Sequence, residues 1–422
     1  MAGQQPVGAA RPLSRTKRGL GIDVLTAAQR RIRRVFDDFP VVYTSFSGGK
    51  DSGVLLELAA REARARGRRL GVLIVDLEAQ YQHTIDYLHA MLERHADVLD
   101  VYWVALPLSL RNAVSQFQPQ WRCWDPEVRE MWVRDFPDHP GVITDPAFFD
   151  FFTPGMEFEE FTPEFGRWLS ERHNGRMTAC LVGIRSDESI NRYRTIARRD
   201  KHRHDDLPWT TRISNTVYNG YPIYDWRTED IWRFYGKERV PYNVIYDLMH
   251  RAGVSIHQAR LCQPYGDDQR QGLWLFHVLE PLTWSRVVAR VHGANFGARY
   301  ARETGNILGR IQITCPEGMT WEEYVQALLA DMRPAEAEHY RDKIAQFLRW
   351  YDSRGYPGGI IPDDGPMTKE APNWKRIAKM ILTYDYWGKG LSFAPPASSK
   401  SLKAHRDKMA IRRREWGYRG TL

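Results

Sequence analysis

Six consecutive residues, Ser47-Gly48-Gly49-Lys50-Asp51-Ser52, combine two glycines, a full positive charge, a carboxylate and two hydroxyls. Adjacent glycines let a backbone turn tightly and approach a ligand with no Cβ in the way. Lys50 brings charge, and the hydroxyls of Ser47 and Ser52 bring short, adaptable hydrogen bonds. A second group lies further along: Gly183-Ile184-Arg185-Ser186-Asp187-Glu188-Ser189, followed by Asn191, Arg192 and Arg194. Its mixture of guanidinium and carboxylate groups suits an anionic ligand with a divalent ion; a solvated, charged helix start is the other reading.

The flanking sequence must position these groups. Val41, Val42 and Tyr43 open a short apolar strand ahead of the glycines, and Gly53 to Arg66 follows as a helix with Val54, Leu55, Leu58 and Ala59 on one face. Strand, glycine turn and helix aim the turn amides and the positive end of the helix dipole at one spot, which favours an anion. The spacing differs from the common Gly-x-x-x-x-Gly-Lys-Ser/Thr loop. Leu70–Val75 reads as a strand buried on both faces, Tyr81–Leu92 as a helix, Val98–Leu106 as a third strand and Met177–Ile184 as a fourth. This rhythm predicts a doubly wound parallel α/β sheet with right-handed crossovers. Ligands of such sheets sit beyond the carboxyl ends of the strands, where Ser47–Ser52 and Asp76–Gln80 are both expected.

At 422 residues the chain exceeds one ordinary core. No apolar run approaches the roughly 20 residues of a membrane span. With no signal-like N-terminal stretch, a cytoplasmic location is expected. Cys123, Cys180, Cys262 and Cys315 are far apart, which excludes a disulfide framework and a Cys-x-x-Cys zinc site. The net charge of +8 is uneven: residues 1–40 carry +5, residues 397–422 carry +6, and the remainder −3. Basic ends of this kind attract DNA, RNA or an acidic partner, or are simply solvated.

Four segments in order now resemble one family. Ser-Gly-Gly-Lys-Asp-Ser at 47–52, Asp76, the Gly-Ile-Arg-x-Asp-Glu-Ser run at 183–189 and Tyr221-Pro-Ile-x-Asp-Trp-x-x-Glu-Asp-Ile-Trp232 resemble the phosphoadenosine phosphosulfate (PAPS) reductase family. That family sits within the PP-loop, or adenine nucleotide α-hydrolase, superfamily. Asp76-Leu-Glu-Ala-Gln80, Ser115-Gln-Phe-Gln-Pro119 and Cys262-Gln-Pro-Tyr-Gly-Asp-Asp-Gln-Arg-Gln-Gly-Leu273 are similar to its IbrA-type branch, which adds a C-terminal extension and is often paired with a ParB-like partner.

The resemblance implies a Rossmann-like nucleotide-binding domain over residues 24–265, with an aromatic insertion at about 107–175. A basic arm at 1–23, a mostly α-helical C-terminal domain at 266–396 and a basic tail at 397–422 complete the expected layout. It implies ATP, or a PAPS-like adenine nucleotide, held by Ser45, Ser47, Gly48, Gly49, Lys50, Asp51, Ser52, Asp76, Gly183, Arg185, Arg192 and Arg270. Lys50, Asp51, Arg185 and Asp187 are the implied catalytic group, with Asp51 and Asp187 ligating Mg²⁺ and Arg185, Arg192 and Arg270 clamping phosphate oxygens.

One departure matters. The family's Glu-Cys-Gly-x-His segment is missing from the tail, and four isolated cysteines cannot hold an iron–sulfur cluster, so none is expected. The leading expectation is therefore an ATP pyrophosphatase or adenylating enzyme acting on an unknown acceptor, nucleic acid among the options. Sulfonucleotide reduction or sulfur transfer through Cys262 is one alternative. A nucleotide-sensing co-activator working with a ParB-like protein is another. Cys123, Cys180 and Cys315 read as buried, inert thiols.

Overall fold

The computed structural model describes residues 19, 21–114, 118, 120–198, 201–261, 265–266, 273–291, 294, 313–332, 334–352, 356–365, 372–382, 385 and 388–391. The tail at 397–422 and residues 1–18 of the basic arm lie outside them. Among the described residues, seven strands form one sheet: β1 (Val41–Ser45), β2 (Leu70–Val75), β3 (Leu99–Val104), β6 (Val142–Ile143), β7 (Thr178–Val182), β8 (Thr210–Arg212) and β9 (Val217–Gly220). Their order is β6-β3-β2-β1-β7-β9-β8. β1 runs parallel to β2 and β7, β7 to β9 and β3 to β6, while β8 closes one edge antiparallel to β9. The α/β sheet is thus as expected, with an antiparallel edge too short to announce itself in the sequence. No described helix is long and apolar enough to cross a membrane.

The chain divides into two compact units. The first comprises Met1–Leu73, Met91–Val101 and Leu169–Tyr242. Here α1 (Val24–Asp38) starts where Asp23 accepts a hydrogen bond from the Thr26 amide at 2.9 Å, and it buries Ala28, Ile32, Val35 and Phe36. Helix α2 (Lys50–Ala65) is buried from Lys50 through Ala60, well beyond the single face expected. That enclosure includes a charge. Glu57 meets Arg61 Nε at 2.7 Å, Arg94 Nε at 3.0 Å and His95 Nε2 at 2.9 Å. Burial alone would raise the Glu57 pKa, but hydrogen bonds from His95, Arg94 and Arg61 outweigh it and hold the carboxyl well below its ordinary range. Helix α6 (Thr228–Glu238) has Thr228 as its first residue, and Asp230 accepts from the Arg227 amide at 2.9 Å.

The second unit comprises Ile74–Ala90, Tyr102–Trp168 and Asn243–Leu422. Much of the aromatic insertion lies here, and it is more regular than its prolines suggest. It supplies the antiparallel pair β4 (Ser109–Arg111) and β5 (Gln120–Arg122), the strand β6 and most of α4 (Phe158–Arg172). Phe149 meets Phe161, Phe165 and Trp168 edge to face, and all four are buried, so these rings serve as core. Helix α3 (Gln82–Arg94) has no N-terminal cap of its own. Glu280, just before α9 (Pro281–Arg290), accepts from the Gln82 amide at 2.9 Å and the His83 amide at 3.2 Å. At the other end of α9, Arg290 donates to both oxygens of Glu78, at 2.9 and 3.3 Å. Glu78 is fully buried at φ +61°, and it also accepts from the Trp124 and Val133 amides. Towards the C-terminus, α10 (Trp321–Ala330), α11 (Pro334–Asp352) and α12 (Trp374–Leu382) share a core of Trp321, Val325, Phe347, Tyr351, Ile377 and Ile381. Thr320 and Glu323 cap α10 reciprocally.

Two stability measurements check these ionic centres. Glu57→Gln is expected to lose about 2 kcal/mol in urea unfolding at neutral pH, because three charge-assisted bonds weaken. Since the folded pKa of Glu57 lies below its unfolded value, its contribution is present above the ordinary carboxylate range and fades as pH falls. The gap between variant and wild type should therefore close in acid. Arg290→Ala should cost about 3–5 kcal/mol, because Glu78 is left buried and uncompensated.

Candidate functional site

Strand β1 ends at half-buried Ser45, and sheet pairing continues one residue further, the Phe46 amide donating to Leu73 O at 2.9 Å. The chain then turns. Ser47 is exposed, and Gly48 sits at φ +71°, where a side chain would be strained. Gly49 is extended and stands at the N-cap of α2. Having no side chain, it cannot accept from the first-turn amides as a serine or aspartate cap would. Ser52 closes the loop on itself: its hydroxyl donates to Gly49 O at 3.0 Å, accepts from the Ser47 amide at 3.4 Å and lies 3.1 Å from the Ser47 hydroxyl.

Strand β7 lies beside β1, and the residue after it is Gly183. A Cβ placed there would meet Ser52 Cα at 2.9 Å, Ser52 N at 3.0 Å and the Asp51 carbonyl carbon at 3.1 Å. Those neighbours are backbone atoms of a helix turn, so only glycine fits. Two residues on, Arg185 is buried and donates its Nε to Asp51 Oδ1, with Nη1 3.4 Å from Trp226 O. Lys50, also buried, brings Nζ to 3.2 Å from Asp51 Oδ2. The Lys50 carbonyl accepts from the Tyr235 hydroxyl at 2.7 Å. One carboxylate is thus shared by two cations, leaving a net positive charge under the glycine turn.

The first unit therefore brings Ser45, Ser47, Gly48, Gly49, Lys50, Asp51, Ser52, Gly183 and Arg185 into one cluster. Other expectations need correction. Arg185 is not displayed as a phosphate clamp, because its guanidinium is enclosed against Asp51. Arg192, on α5 (Ile190–Ala197), pairs with Glu188 at 3.0 Å. Asp51 and Asp187 do not make a fitting pair for Mg²⁺: both oxygens of Asp51 are held by buried cations, while Asp187 is exposed. The one grouping of three His, Cys, Asp or Glu side chains close enough to share a metal, among the described residues, is Asp38, His204 and Asp205, and Arg34 already bridges its two carboxylates.

Asp76 belongs to the second unit and is fully enclosed. Its carboxylate accepts from Trp103 Nε1 at 2.9 Å, from the Glu78 amide at 3.0 Å and from Arg134, so it holds its own loop and shows no oxygen to a ligand. Arg270 and Cys262 lie outside the described residues. Cys123 and Cys180 are buried as expected; burial pushes the Cys123 thiol well up and the Cys180 thiol up to about 12. Cys315 is only half-buried, its thiol directed at Met319 O. Sequence reasoning missed Tyr235, whose one signal was its place on the apolar face of α6 with Ile231 and Phe234.

The contact at Gly183 yields a direct check. Gly183→Ala should destabilise the protein by about 1–3 kcal/mol in urea unfolding, because the added methyl has only helix backbone to push against.

Two family models match adjoining segments: a phosphoadenosine phosphosulfate reductase domain at residues 166–253 and a domain of unknown function, DUF3440, at residues 253–364. The uncharacterized protein YbdN of Escherichia coli (strain K12) is 44% identical over 401 residues, covering 94% of this chain and 97% of its own. Among solved structures, the PAPS reductase of Candida auris in a phosphate complex is similar at TM-score 0.29 and 14% identity, over 53% of this chain and 85% of that one. The U34-tRNA thiolase NcsA of Methanococcus maripaludis, with its [4Fe-4S] cluster, is similar at TM-score 0.30 and 12% identity, over 69% and 85%. The near full-length match to YbdN and the two adjoining domains agree with the glycine turn and its buried ion cluster: the chain belongs to the PAPS reductase-like proteins of the PP-loop, adenine nucleotide α-hydrolase superfamily.

Proposed function

We propose that Ser47–Ser52 cradles the phosphates of ATP and that the protein is an adenylating enzyme. The observation that carries this is the N-terminus of α2: a 16-residue helix whose cap is a glycine, beneath an exposed Ser47 and beside two buried cations. Gly48 and Gly49 would lie against the departing pyrophosphate, with the α2 amides directed at its oxygens. Lys50, steadied by Asp51, would supply a fixed charge at that position, and Arg185 would hold Asp51 in place. An acceptor hydroxyl or amine attacks the α-phosphorus, the bond to the bridging oxygen breaks, and pyrophosphate leaves with that electron pair. The acceptor's proton passes to solvent. Such transfer depends on positioning and charge neutralisation more than on covalent help.

Thiol-driven reduction of a sulfonucleotide is less well supported. Cys123 and Cys180 are buried with raised pKa values, so neither offers a thiolate, and this route would need Cys262 or a partner's thiol. A nucleotide sensor would use the same cradle without turnover.

Pyrophosphate release from ATP, followed with and without candidate acceptors, tests the reading. Lys50→Ala is expected to lower turnover at least ~100-fold, in line with removal of a charged transition-state contact. Asp51→Asn should lower it by ~10-fold or more, through loss of Lys50 and Arg185 positioning. Calorimetric ATP binding with no pyrophosphate release would make the protein a sensor. No heat with ATP, in the presence or absence of Mg²⁺, would end both readings.

A further inference from the structure

Residues 192–204 carry Arg192, Arg194, Arg198, Arg199, Lys201 and Arg203 against the single acid Asp200, a net charge of +5 within a stretch whose surroundings are slightly acidic. Of the groups on helix α5 and at 201–203, Arg192, Lys201 and Arg203 are half-buried at the surface of the first unit. Arg194 and Arg198 are exposed, and Tyr193 beside them is 45% exposed. Lys201 Nζ folds back to Thr195 O at 3.3 Å, and Arg203 Nη2 to Arg198 O at 3.3 Å. Both therefore crowd onto the last turn of α5. Arg194, Lys201 and Arg203 make no ion pair among the described residues.

A helix C-terminus welcomes a cation, but its half charge satisfies one of them and not a cluster. Burial, and after it the neighbouring Arg203, pull the Lys201 pKa down to about 8. Arg194, Lys201 and Arg203, gathered with no ion pair among the described residues and beside an exposed aromatic ring, match what an unpaired nucleic-acid strand requires. Phosphates take the charges and a base stacks on the ring. A short anion would answer one or two of these groups; a chain of phosphates answers them together.

We propose that α5 and residues 201–203 form a docking surface for single-stranded nucleic acid, which supplies the acceptor for the adenylating site. The second clause rests on the reading given above; the docking surface does not. Location favours the link. Helix α5 starts directly after Gly183–Ser189, and its eight residues span about 12 Å, so a strand lying on it is within a nucleotide or two of the segment that touches the glycine turn.

Fluorescence anisotropy of the full-length protein with a labelled mixed-sequence RNA of about 20 nucleotides, across about 50 to 300 mM KCl, tests the surface. The triple variant Arg194→Glu/Lys201→Glu/Arg203→Glu should bind at least ~10-fold more weakly and reduce the log–log salt slope by about 2, one increment of ~0.7 per lost phosphate contact. Tyr193→Ala should weaken RNA binding roughly tenfold while leaving binding to duplex DNA unchanged, as loss of base stacking predicts. Thermal unfolding curves matching wild type would show these surface variants to be folded. Lys50→Ala should bind RNA as wild type does, so a failure of ATP chemistry and a failure of docking remain distinct. Wild-type protein that does not bind the RNA, or a triple variant that binds with unchanged slope, would overturn the surface. Equal loss on RNA and duplex after Tyr193→Ala would overturn the single-strand assignment.

Discussion

Backbone contact between the end of β7 and the first turn of α2 is the constraint from which the rest of the site follows. The strand's exit runs so close to the helix that a Cβ added at Gly183 would lie 2.9 Å from Ser52 Cα. Arg185 then has nowhere to go except behind that turn, where Asp51 waits. Moving either element by an ångström would leave a guanidinium and a carboxylate buried and unmatched, at a cost of several kcal/mol. Lys50 completes the set from the other side of the same carboxylate. The positive potential beneath the glycine turn is thus a property of packing, fixed before any ligand arrives.

Charge is handled the same way in the second unit. Asp76 and Glu78 are both fully buried, and each is surrounded by donors drawn from distant sequence: Trp103 and Arg134 for one, Trp124, Val133 and Arg290 for the other. A non-glycine residue at φ +61° is uphill on its own. Four hydrogen bonds to the Glu78 carboxylate give the loop reason to stay there. Acidic residues after a parallel strand ordinarily suggest a ligand; these two spend their oxygens on the fold.

The sheet and the glycine turn were legible because each rests on local pattern. Leu70–Val75 is a strand in sequence and structure alike, and a glycine pair between a β-branched run and an apolar-periodic helix has few other conformations open to it. Burial partners were not legible. Nothing near Arg185 in sequence names Asp51, 134 residues away, and nothing near Glu78 names Arg290, 212 away. The sequence shows an arginine and an aspartate at two strand ends; whether they face solvent and a metal or one another is decided by sub-ångström packing. Short pieces escaped for a different reason. Strands of two or three residues, such as β6 and β8, carry too little periodicity to stand out from a proline-rich or charged loop.

Glu280 and Arg290 give the C-terminal extension a meaning that a boundary at residue 253 conceals. One seals the open amides of a helix formed by residues 82–94, and the other neutralises a carboxylate just downstream of β2. The extension is therefore less an appended module than part of the last segment of a folding unit begun near residue 74. Removing it would leave the first amides of α3 without their acceptor and the Glu78 carboxylate without its cation.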